Sequence, residues 1–484
     1  MSETHNTTQP LILWFRKDLR LSAHPAWHQA LQRKQPIIPV YIWSPTEENP
    51  WSYGEASRWW LHQSLQVLQE NLQSVGSRLL FRAGPIVPNL LEIAKTAGAS
   101  TVYWSRQYEP HLIKRDTAIK LDLQKSGVEV QTFNATLLIE PWELLNQTQK
   151  PYQVFTPYWK ALQSRVQPLQ TYRVPSEFRP VHTWPKSKTL TSLDILPKNN
   201  WHTKLKAHWQ PGETQALQTL KKFLDNGVSD YKMGRDFPNR DSTAKISAHL
   251  HFGEISPAQI WDAAQKNLFF LKPAKNDTQD FLREIAWREF SYALMYHFPQ
   301  TPTAPLQQKF LNFPWQNSKT LLQAWQTGQT GYPIVDAGMR ELWQTGFMHN
   351  RVRMIVASFL TKDLFIDWQD GAKWFWDTLV DADLASNTQG WQWTAGCGAD
   401  AAPYFRIFNP ILQSEKFDPN GDYIKKWVPE LAKLAKKWIH KPFLASAKDL
   451  TAANITLGKT YPYPIVEHAR AREHALAIWQ SLKK

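Results

Sequence analysis

Short apolar runs separated by amphipathic segments fill the first 135 residues of the chain. This alternation predicts strands and helices in turn, which is typical of a parallel β-sheet with helices on both faces. The stretch contains no G-x-G-x-x-G or Walker-type loop, so the usual phosphate-binding role of such a sheet is unsupported. The predicted strands are 11–15, 37–42, 79–81, 101–104 and 128–133, and helices are predicted over 56–72 and 88–97.

From about residue 212 onward, the apolar residues recur at helical spacing. Helices are predicted over 281–298, 331–343, 349–364 and 374–379, and such a domain can hold a cofactor between its helices. Residues 145–205 are rich in Pro, Gln, Ser and Thr and predict a long surface connector. We therefore predict an α/β domain over 1–135, an interdomain connector over 136–210 and an all-α domain over 211–484.

Composition narrows the class of protein. A chain of 484 residues is too long for one core, and its net charge of +14 favours a polyanionic partner, of which nucleic acid is one alternative. A single cysteine, Cys397, excludes internal disulfides and cysteine-built metal sites and fits a reducing, cytosolic setting. No run approaches the roughly 20 apolar residues of a membrane span, and Met1–Pro10 lacks the features of a signal peptide.

Three segments carry candidate chemistry, and each also has an ordinary structural explanation. Glu284 and Trp287 share a helix face, but Glu284 with Arg288 could equally form a surface ion pair beside a core tryptophan. In the second segment, Arg353 and Met354 lie three and four residues after Asn350. The arginines of this segment could bind phosphate or form a solvated basic turn.

The third segment contains Asp381, Asp383 and Asn387, which suggest a metal loop. The ligand spacing of a calcium loop is not completed downstream, so we predict no metal site. A helix-capping role is the default for Asp383.

In order and spacing, these three segments together resemble the flavin domain of the photolyase and cryptochrome family. Four further motifs carry the resemblance, which covers essentially the whole chain: residues 14–20, 242–247, 330–340 and 403–410. The resemblance is strongest to bacterial photolyases that repair cyclobutane pyrimidine dimers (CPD) in DNA. It implies an α/β antenna domain followed by an all-α domain that binds FAD and DNA.

The resemblance also implies roles for individual residues of the FAD site. Asn387 would face flavin N5, where an amide can donate or accept a hydrogen bond as N5 changes protonation. Backbone N–H groups and hydroxyls of the 243–247 segment suit the diphosphate. The residues implied to bind FAD are Tyr231, Thr243, Ala244, Lys245, Ile246, Ser247, Phe281, Asn350, Arg353, Asp381, Asp383 and Asn387.

Three tryptophans match the electron-transfer chain of the family: Trp391 nearest the flavin, then Trp368, then Trp315 at the surface. Taken singly, each would be interpreted as core packing. Their joint match to the family favours the functional role.

The family contains sensors as well as enzymes, so the substrate residues decide the implied activity. Trp287 and Trp393 occupy both wall positions around a flipped dimer, and Asn387 stands where plant-type cryptochromes usually carry Asp. The segment around Met354 is of the CPD type and not the His-rich type of 6-4 photolyases. The implied catalytic residues are Glu284, Trp287, Met354, Asn387 and Trp393, and the implied DNA contacts are Arg235, Glu284, Trp287, Arg351, Met354, Trp393 and Arg406.

A second, light-harvesting chromophore is usual in the family. The Asn-Glu pair of some folate-binding members is replaced here by His111-Leu112, so we expect methenyltetrahydrofolate in a different arrangement, with a deazaflavin or an empty site as alternatives. We expect a monomer without membrane association that is cytoplasmic and joins the nucleoid when bound to DNA. The chain also ends soon after the last expected helix, unlike sensors with long signalling extensions.

Overall fold

The computed structural model describes residues 9–168, 179–270, 275–404 and 406–482. In these parts the chain forms two compact units. The first unit comprises 1–152, 156–226 and 244–299, and the second comprises 153–155, 227–243 and 300–484. The domain boundaries expected from the sequence stay a prediction, and residues 169–178 of the expected connector lie outside the described residues.

The first unit is built on a parallel five-stranded sheet in the order β3-β2-β1-β4-β5. The predicted α/β class of this region and the helical class of the C-terminal region are confirmed. Leu11 of β1 pairs with Ile37 of β2 on one side and with Thr101 of β4 on the other. The strands are β1 (Leu11–Phe15), β2 (Ile37–Trp43), β3 (Leu80–Ala83), β4 (Thr101–Ser105) and β5 (Glu129–Phe133).

Helices cover this sheet because its strands β1 and β2 are apolar along their lengths. β1 and β2 are buried along their whole lengths, which is typical of a parallel strand covered on both faces. Ile12 and Trp14 pack in one core cluster with Leu90 and Ile93 of the helix Ile86–Ala97. On β1, the alternate residue Phe15 instead contacts Trp27, at 6.2 Å between ring centroids.

The second unit is helical in its described residues, and its core is unusually aromatic. The helices of the first unit are α1 (Pro25–Gln32), α2 (Glu55–Ser74), α3 (Ile86–Ala97), α4 (Pro110–Lys125), α5 (Phe155–Arg165), α6 (Glu213–Lys222), α8 (Ser247–His251), α9 (Pro257–Phe270) and α10 (Lys275–His297). Those of the second are α7 (Tyr231–Gly234), α11 (Lys319–Gln326), α12 (Pro333–Thr345), α13 (Asn350–Ser358), α14 (Trp368–Thr378), α15 (Leu384–Ala395), α16 (Pro410–Phe417), α17 (Asp422–Trp427), α18 (Lys436–Ile439), α19 (Ala447–Ala452) and α20 (His468–Ser481).

Two differences from the sequence expectation have clear physical causes. Helix α5 lies within the expected connector, and the periodicity missed it although its Tyr158 and Leu162 are buried. The helix expected over 349–364 changes after Ser358 into a π-helical turn, Phe359–Asp363, in which the Leu364 N–H donates to the Phe359 carbonyl at 3.0 Å. None of the described helices is long and apolar enough to cross a membrane.

Within the first unit, a buried carboxyl group fixes helix α10 to the segment after β5. Glu289 is 2% exposed, and its Oε2 accepts the N–H of Leu138 at 2.7 Å. Its neighbour Arg288 donates to the Thr136 carbonyl at 2.9 Å. Burial raises the pKa of Glu289 to about 7, against the partial compensation by Arg288.

We expect Glu289 to contribute a loss of stability as pH rises from the ordinary glutamate value of 4.5 to about 7, because folded Glu289 holds its proton more tightly than the unfolded chain does. The loss is on the order of 3 kcal/mol, since one pKa unit corresponds to about 1.4 kcal/mol. Glu289→Gln should remove this dependence, whereas Glu143→Gln, at an exposed site, should keep it. Thermal midpoints measured against pH check this, and equal slopes for all three proteins would contradict it.

Candidate active site

In the second unit, an ion pair joins helix α13 to the turn before α15. Arg353 donates from Nη2 to both carboxylate oxygens of Asp381, at 3.1 and 2.9 Å, and from Nε to the Met348 carbonyl at 2.7 Å. The Arg353 guanidinium also lies 5.3 Å from the ring centre of Phe347. Asp381 is buried, so its carboxylate depends on this pairing.

Helix α15 begins directly after this pair. Asp383 is the N-cap residue, and its Oδ1 accepts the N–H of Ser386 at 2.8 Å, which confirms the capping role expected from the sequence. One turn later, the half-buried Asn387 donates from Nδ2 to the carbonyl of Ala372 in α14 at 3.0 Å. The amide of Asn387 is therefore oriented by a neighbouring helix.

Trp391 is buried at the centre of the aromatic core. Its ring meets Phe375 edge to face at 5.0 Å and Trp325 at 6.2 Å. Helix α14 comes close because residue 371 is a glycine: a Cβ there would lie 2.1 Å from Cη2 of Trp391. Glycine is therefore required at position 371 by a neighbouring side chain.

The other two tryptophans of the implied chain belong to the same core. Trp368, the first residue of α14, is buried in the cluster that contains Trp391. Trp315 is half-buried and packs against this cluster, with its ring 4.1 Å from that of Phe313. All three tryptophans therefore belong to, or pack against, one aromatic core, and Trp315 is the most exposed of them.

Several implied DNA contacts lie at the surface of the second unit. Arg351 pairs with Asp236 at 2.6 Å and stacks on Phe417 at 4.4 Å. Its Nη1 lies 3.7 Å from the sulfur of Met354. The second unit also contains other residues to which the resemblance gives a role in binding FAD or DNA. The guanidinium of Arg235 lies 5.2 Å from the ring centre of the buried Tyr231. Trp393 and Thr243 are half-buried, and Asn350 and Arg406 are exposed.

The first unit holds the remaining implied residues. On α10, Phe281 is buried against Phe223 at 4.8 Å, while Glu284 and Trp287 are half-buried. Trp287 meets Phe290 edge to face at 5.8 Å. Residues 244–247 lie at the start of α8, where Ala244 and Ile246 are buried and Lys245 and Ser247 are exposed.

The strand order of the first unit reverses between β1 and β4, the usual ligand position in such sheets. Here Lys17, just after β1, pairs with Glu109, just after β4, at 2.6 Å. Burial lowers the pKa of the nearby His111 to about 4. An internal ion pair therefore connects the loops that follow β1 and β4, close to His111 of the replaced antenna motif.

Some site residues were not singled out from the sequence. Asp236, the partner of Arg351, is 115 residues away from it in the chain, so no local pattern could pair them. His349 had a local signal, because it immediately precedes α13 and caps it through Nδ1, which accepts the Arg351 N–H at 3.2 Å. Gly371 carried no signal at all.

FAD, which the resemblance implies, needs hydrogen-bond donors and acceptors around its ring system. Arg353, Asp381 and Asn387 offer a guanidinium, a carboxylate and an amide on neighbouring elements of the second unit.

Burial, reinforced by the charge of Arg353, lowers the pKa of His349 to about 4, so its ring is neutral at pH 7. Since its Nδ1 accepts a hydrogen bond, its buried Nε2 carries the proton and has no partner among the described residues. This donor set fits a flavin.

Comparison with known proteins defines the class. The family model described as "DNA photolyase" matches residues 11–177, and that described as "FAD binding domain of DNA photolyase" matches residues 281–481. The chain belongs to the DNA photolyase family, and its C-terminal half contains the FAD-binding domain of that family.

Individual relatives span nearly the whole chain. A deoxyribodipyrimidine photo-lyase of Agrobacterium fabrum is 48% identical over 99% of this chain and 99% of its own length. Cryptochrome-2 of Arabidopsis thaliana is 38% identical over 96% of this chain and 77% of its own length. The crystal structure of a bacterial class III photolyase from Agrobacterium tumefaciens superposes with a TM-score of 0.95 at 48% identity, covering all of both chains.

The close contact at Gly371 gives a test of the aromatic core. Gly371→Ala should displace the Trp391 ring or α14 and destabilise the protein by about 1–3 kcal/mol through overpacking. Gly390→Ala, on α15, is the matched control, because a Cβ there meets nothing within 4 Å. Thermal unfolding and near-ultraviolet circular dichroism of both variants check this. Equal thermal midpoints for the two variants would contradict the contact.

Proposed function

We propose that the protein is a deoxyribodipyrimidine photolyase, an enzyme that uses blue light to split cyclobutane pyrimidine dimers in DNA. The observation that most directly supports this proposal is that tryptophans, Trp287 and Trp393, occupy both wall positions of the family. Both side chains are half-buried. Asn387 and Met354 are also of the CPD-repair type. The 48% identity to the Agrobacterium fabrum deoxyribodipyrimidine photo-lyase supports the same activity.

DNA binding begins with charge. A net charge of +14 attracts the duplex. Binding weakens as the salt concentration rises, because the release of counterions from DNA then becomes less favourable. Arg235, Arg351 and Arg406 are the proposed phosphate contacts. A damaged pair is already poorly stacked, so flipping it out costs less than flipping intact bases, and this difference provides selectivity.

The flipped dimer is received by the two indoles. Stacking on Trp287 and Trp393 is worth about 1–3 kcal/mol per base. Glu284 hydrogen-bonds a pyrimidine carbonyl edge and stabilises the negative charge that develops on the dimer by sharing a proton. Met354 completes the apolar contact with the dimer.

The residues proposed to hold FAD are those that the resemblance implies, with Arg353, Asp381 and Asn387 closest to the ring system. The chemistry that bound FAD supplies is light-driven donation of one electron to the dimer, with return of the electron after both carbon–carbon bonds have split. With FAD bound, Asn387 would hold a hydrogen bond to flavin N5.

Trp315, Trp368 and Trp391 form the proposed path by which an electron enters from the surface. Indole rings can be oxidised transiently, and closely packed rings allow the positive charge to move outward step by step. The packing of all three in one aromatic core supports this role.

A second chromophore is proposed in the first unit, with methenyltetrahydrofolate preferred over a deazaflavin. The ion pair between Lys17 and Glu109 at the strand reversal supports an arrangement that differs from that of members with the Asn-Glu pair. We further propose that the protein acts as a monomer in the cytoplasm and associates with the nucleoid through damaged DNA.

The rival function is that of a photoreceptor without repair activity, which the 38% identity to Arabidopsis cryptochrome-2 favours. Reduced protein with dimer-containing oligothymidylate under blue light should restore the ultraviolet absorbance of the thymines. A 6-4 photoproduct substrate serves as the control and should stay unchanged. Intact reduced flavin without restoration would support the photoreceptor instead.

Replacement of either wall should weaken binding of the lesion. We expect Trp287→Ala and Trp393→Ala each to raise the Kd for dimer-containing DNA by about tenfold, from the lost stacking of one base. The Kd for undamaged DNA, set mainly by phosphate contacts, should stay within a factor of two or so. Fluorescence anisotropy with both duplexes measures this; equal losses on both would exclude a role for these indoles in lesion binding.

Trp391→Phe separates electron entry from repair. The variant should lose photoreduction of oxidised flavin, because phenylalanine is much harder to oxidise than tryptophan, yet repair by chemically reduced protein should continue. Absorbance changes under illumination, with and without prior dithionite, measure the two activities. Unchanged photoreduction would mean that electrons enter by another route.

A further inference from the structure

The described residues between α15 and α16 form an irregular segment that presents Arg406 to solvent. Contacts on both sides of Arg406 hold this segment in the second unit. Tyr404 is 1% exposed, and its ring stacks on Trp479 at 5.4 Å. The Phe408 N–H donates to the hydroxyl oxygen of Ser358, at the end of α13, at 3.4 Å.

A third contact reaches the backbone of Arg406 itself. Lys362 is 1% exposed, and its Nζ donates to the Arg406 carbonyl at 3.1 Å. The same ammonium group lies 5.3 Å from the ring centre of Tyr404. A fully buried lysine is rare in proteins unless its charge is compensated, because removal of an ammonium group from water is costly.

Lys362 belongs to the π-helical turn Phe359–Asp363 that continues α13. Helix α13 carries Arg351 and Met354 in its first turns. Lys362 therefore ties the segment that bears Arg406 to the same helical stretch that bears two proposed DNA contacts. A π-helical turn in this place changes which side chains the helix directs inward, and such turns are frequent at functional sites.

We propose that Lys362 is a positioning residue for DNA binding: it holds the Arg406 backbone so that the exposed guanidinium stays directed at the phosphates. This inference rests on the proposed function, in which Arg406 contacts DNA. Lys362 touches neither DNA nor the cofactor in this role. It acts through one main-chain carbonyl.

The ionisable groups around Lys362 leave its N–H donors in place. Burial lowers the pKa of Lys362 to about 7, and the amine keeps hydrogens to donate in either protonation state. The adjacent Asp363 carboxylate is engaged by Nδ1 of His468 at 2.6 Å. Burial raises the pKa of the Cys397 thiol to about 12, so this group stays neutral. The contact with Arg406 is thus maintained across the neutral range.

The test is a double-mutant cycle on the FAD-loaded protein, with Kd measured on a duplex that contains one thymine dimer. Arg406→Ala and Lys362→Met should each raise the Kd by about fivefold, the loss of one phosphate contact. In the Arg406→Ala background, Lys362→Met should add less than about twofold, because both changes remove the same contact. In Lys362→Met, repair per absorbed flash at saturating DNA and the flavin spectrum should stay unchanged.

Two further variants separate positioning from general structural effects. Lys309→Met removes an exposed lysine that stacks on Trp479 of the same aromatic group, at 4.4 Å, and should leave the Kd unchanged. Lys362→Gln keeps an N–H donor and should restore the affinity to within about twofold of the original protein. If Lys362→Met fails to fold, Lys362→Gln is the variant with which the contact is tested.

The outcomes distinguish this inference from the proposed function. If Arg406→Ala weakens binding but Lys362→Met does not, or if the two effects multiply, Lys362 has no positioning role and the photolyase assignment stands. If Arg406→Ala has no effect on the Kd, the DNA contact of Arg406 is wrong and the inference is overturned with it. If the original protein repairs no dimer, the proposed function itself fails.

Discussion

The ion pair between Arg353 and Asp381 connects two helices that carry much of the candidate site in the second unit. It joins α13, which bears Arg351 and Met354, to the turn that precedes α15, which begins three residues after Asp381. Asp381 is buried, so loss of its partner would leave an uncompensated charge, a change that typically costs about 3–5 kcal/mol. The relative placement of the two helices therefore depends on an interaction that tolerates little variation on either side.

The aromatic core of the second unit meets two requirements with the same contacts. Close packing of Trp391 against Phe375 and the glycine at 371 buries a large apolar area and stabilises the fold. The same core also holds the three tryptophans of the proposed electron path. A substitution that loosens the packing would therefore be expected to affect both stability and the proposed electron entry.

Both units bury ionisable side chains that bind main-chain atoms of irregular segments. Glu289 accepts a backbone N–H of the segment after β5, and Lys362 donates to the carbonyl of Arg406. Irregular segments lack the internal hydrogen bonds of helices and strands, so their backbone groups need partners from elsewhere. A long side chain that extends from a rigid helix provides such a partner, and it places the segment at a defined distance from that helix.

Local pattern was sufficient for much of the fold. The observed bounds of the five strands differ from the expected ones by one or two residues at most. For β1 and β2 the reason is an apolar run, since a strand buried on both faces must be apolar at successive positions. The capping role of Asp383 was also readable, because an N-cap bond reaches only three residues along the chain. The π-helical turn and helix α5 were not, because each depends on packing against residues distant in sequence.

The candidate site divides in the same way. Motif order and spacing are properties of the chain, so they already indicate which residue types stand at the family positions, including Asn387 and the two tryptophans of the implied walls. Four contacts become visible only when the chain is folded: Arg353 with Asp381, Arg351 with Asp236, Gly371 with Trp391, and Lys362 with Arg406. These contacts join residues that are 20 to 115 positions apart. Such pairings arise from the packing of whole elements, and no local periodicity encodes them.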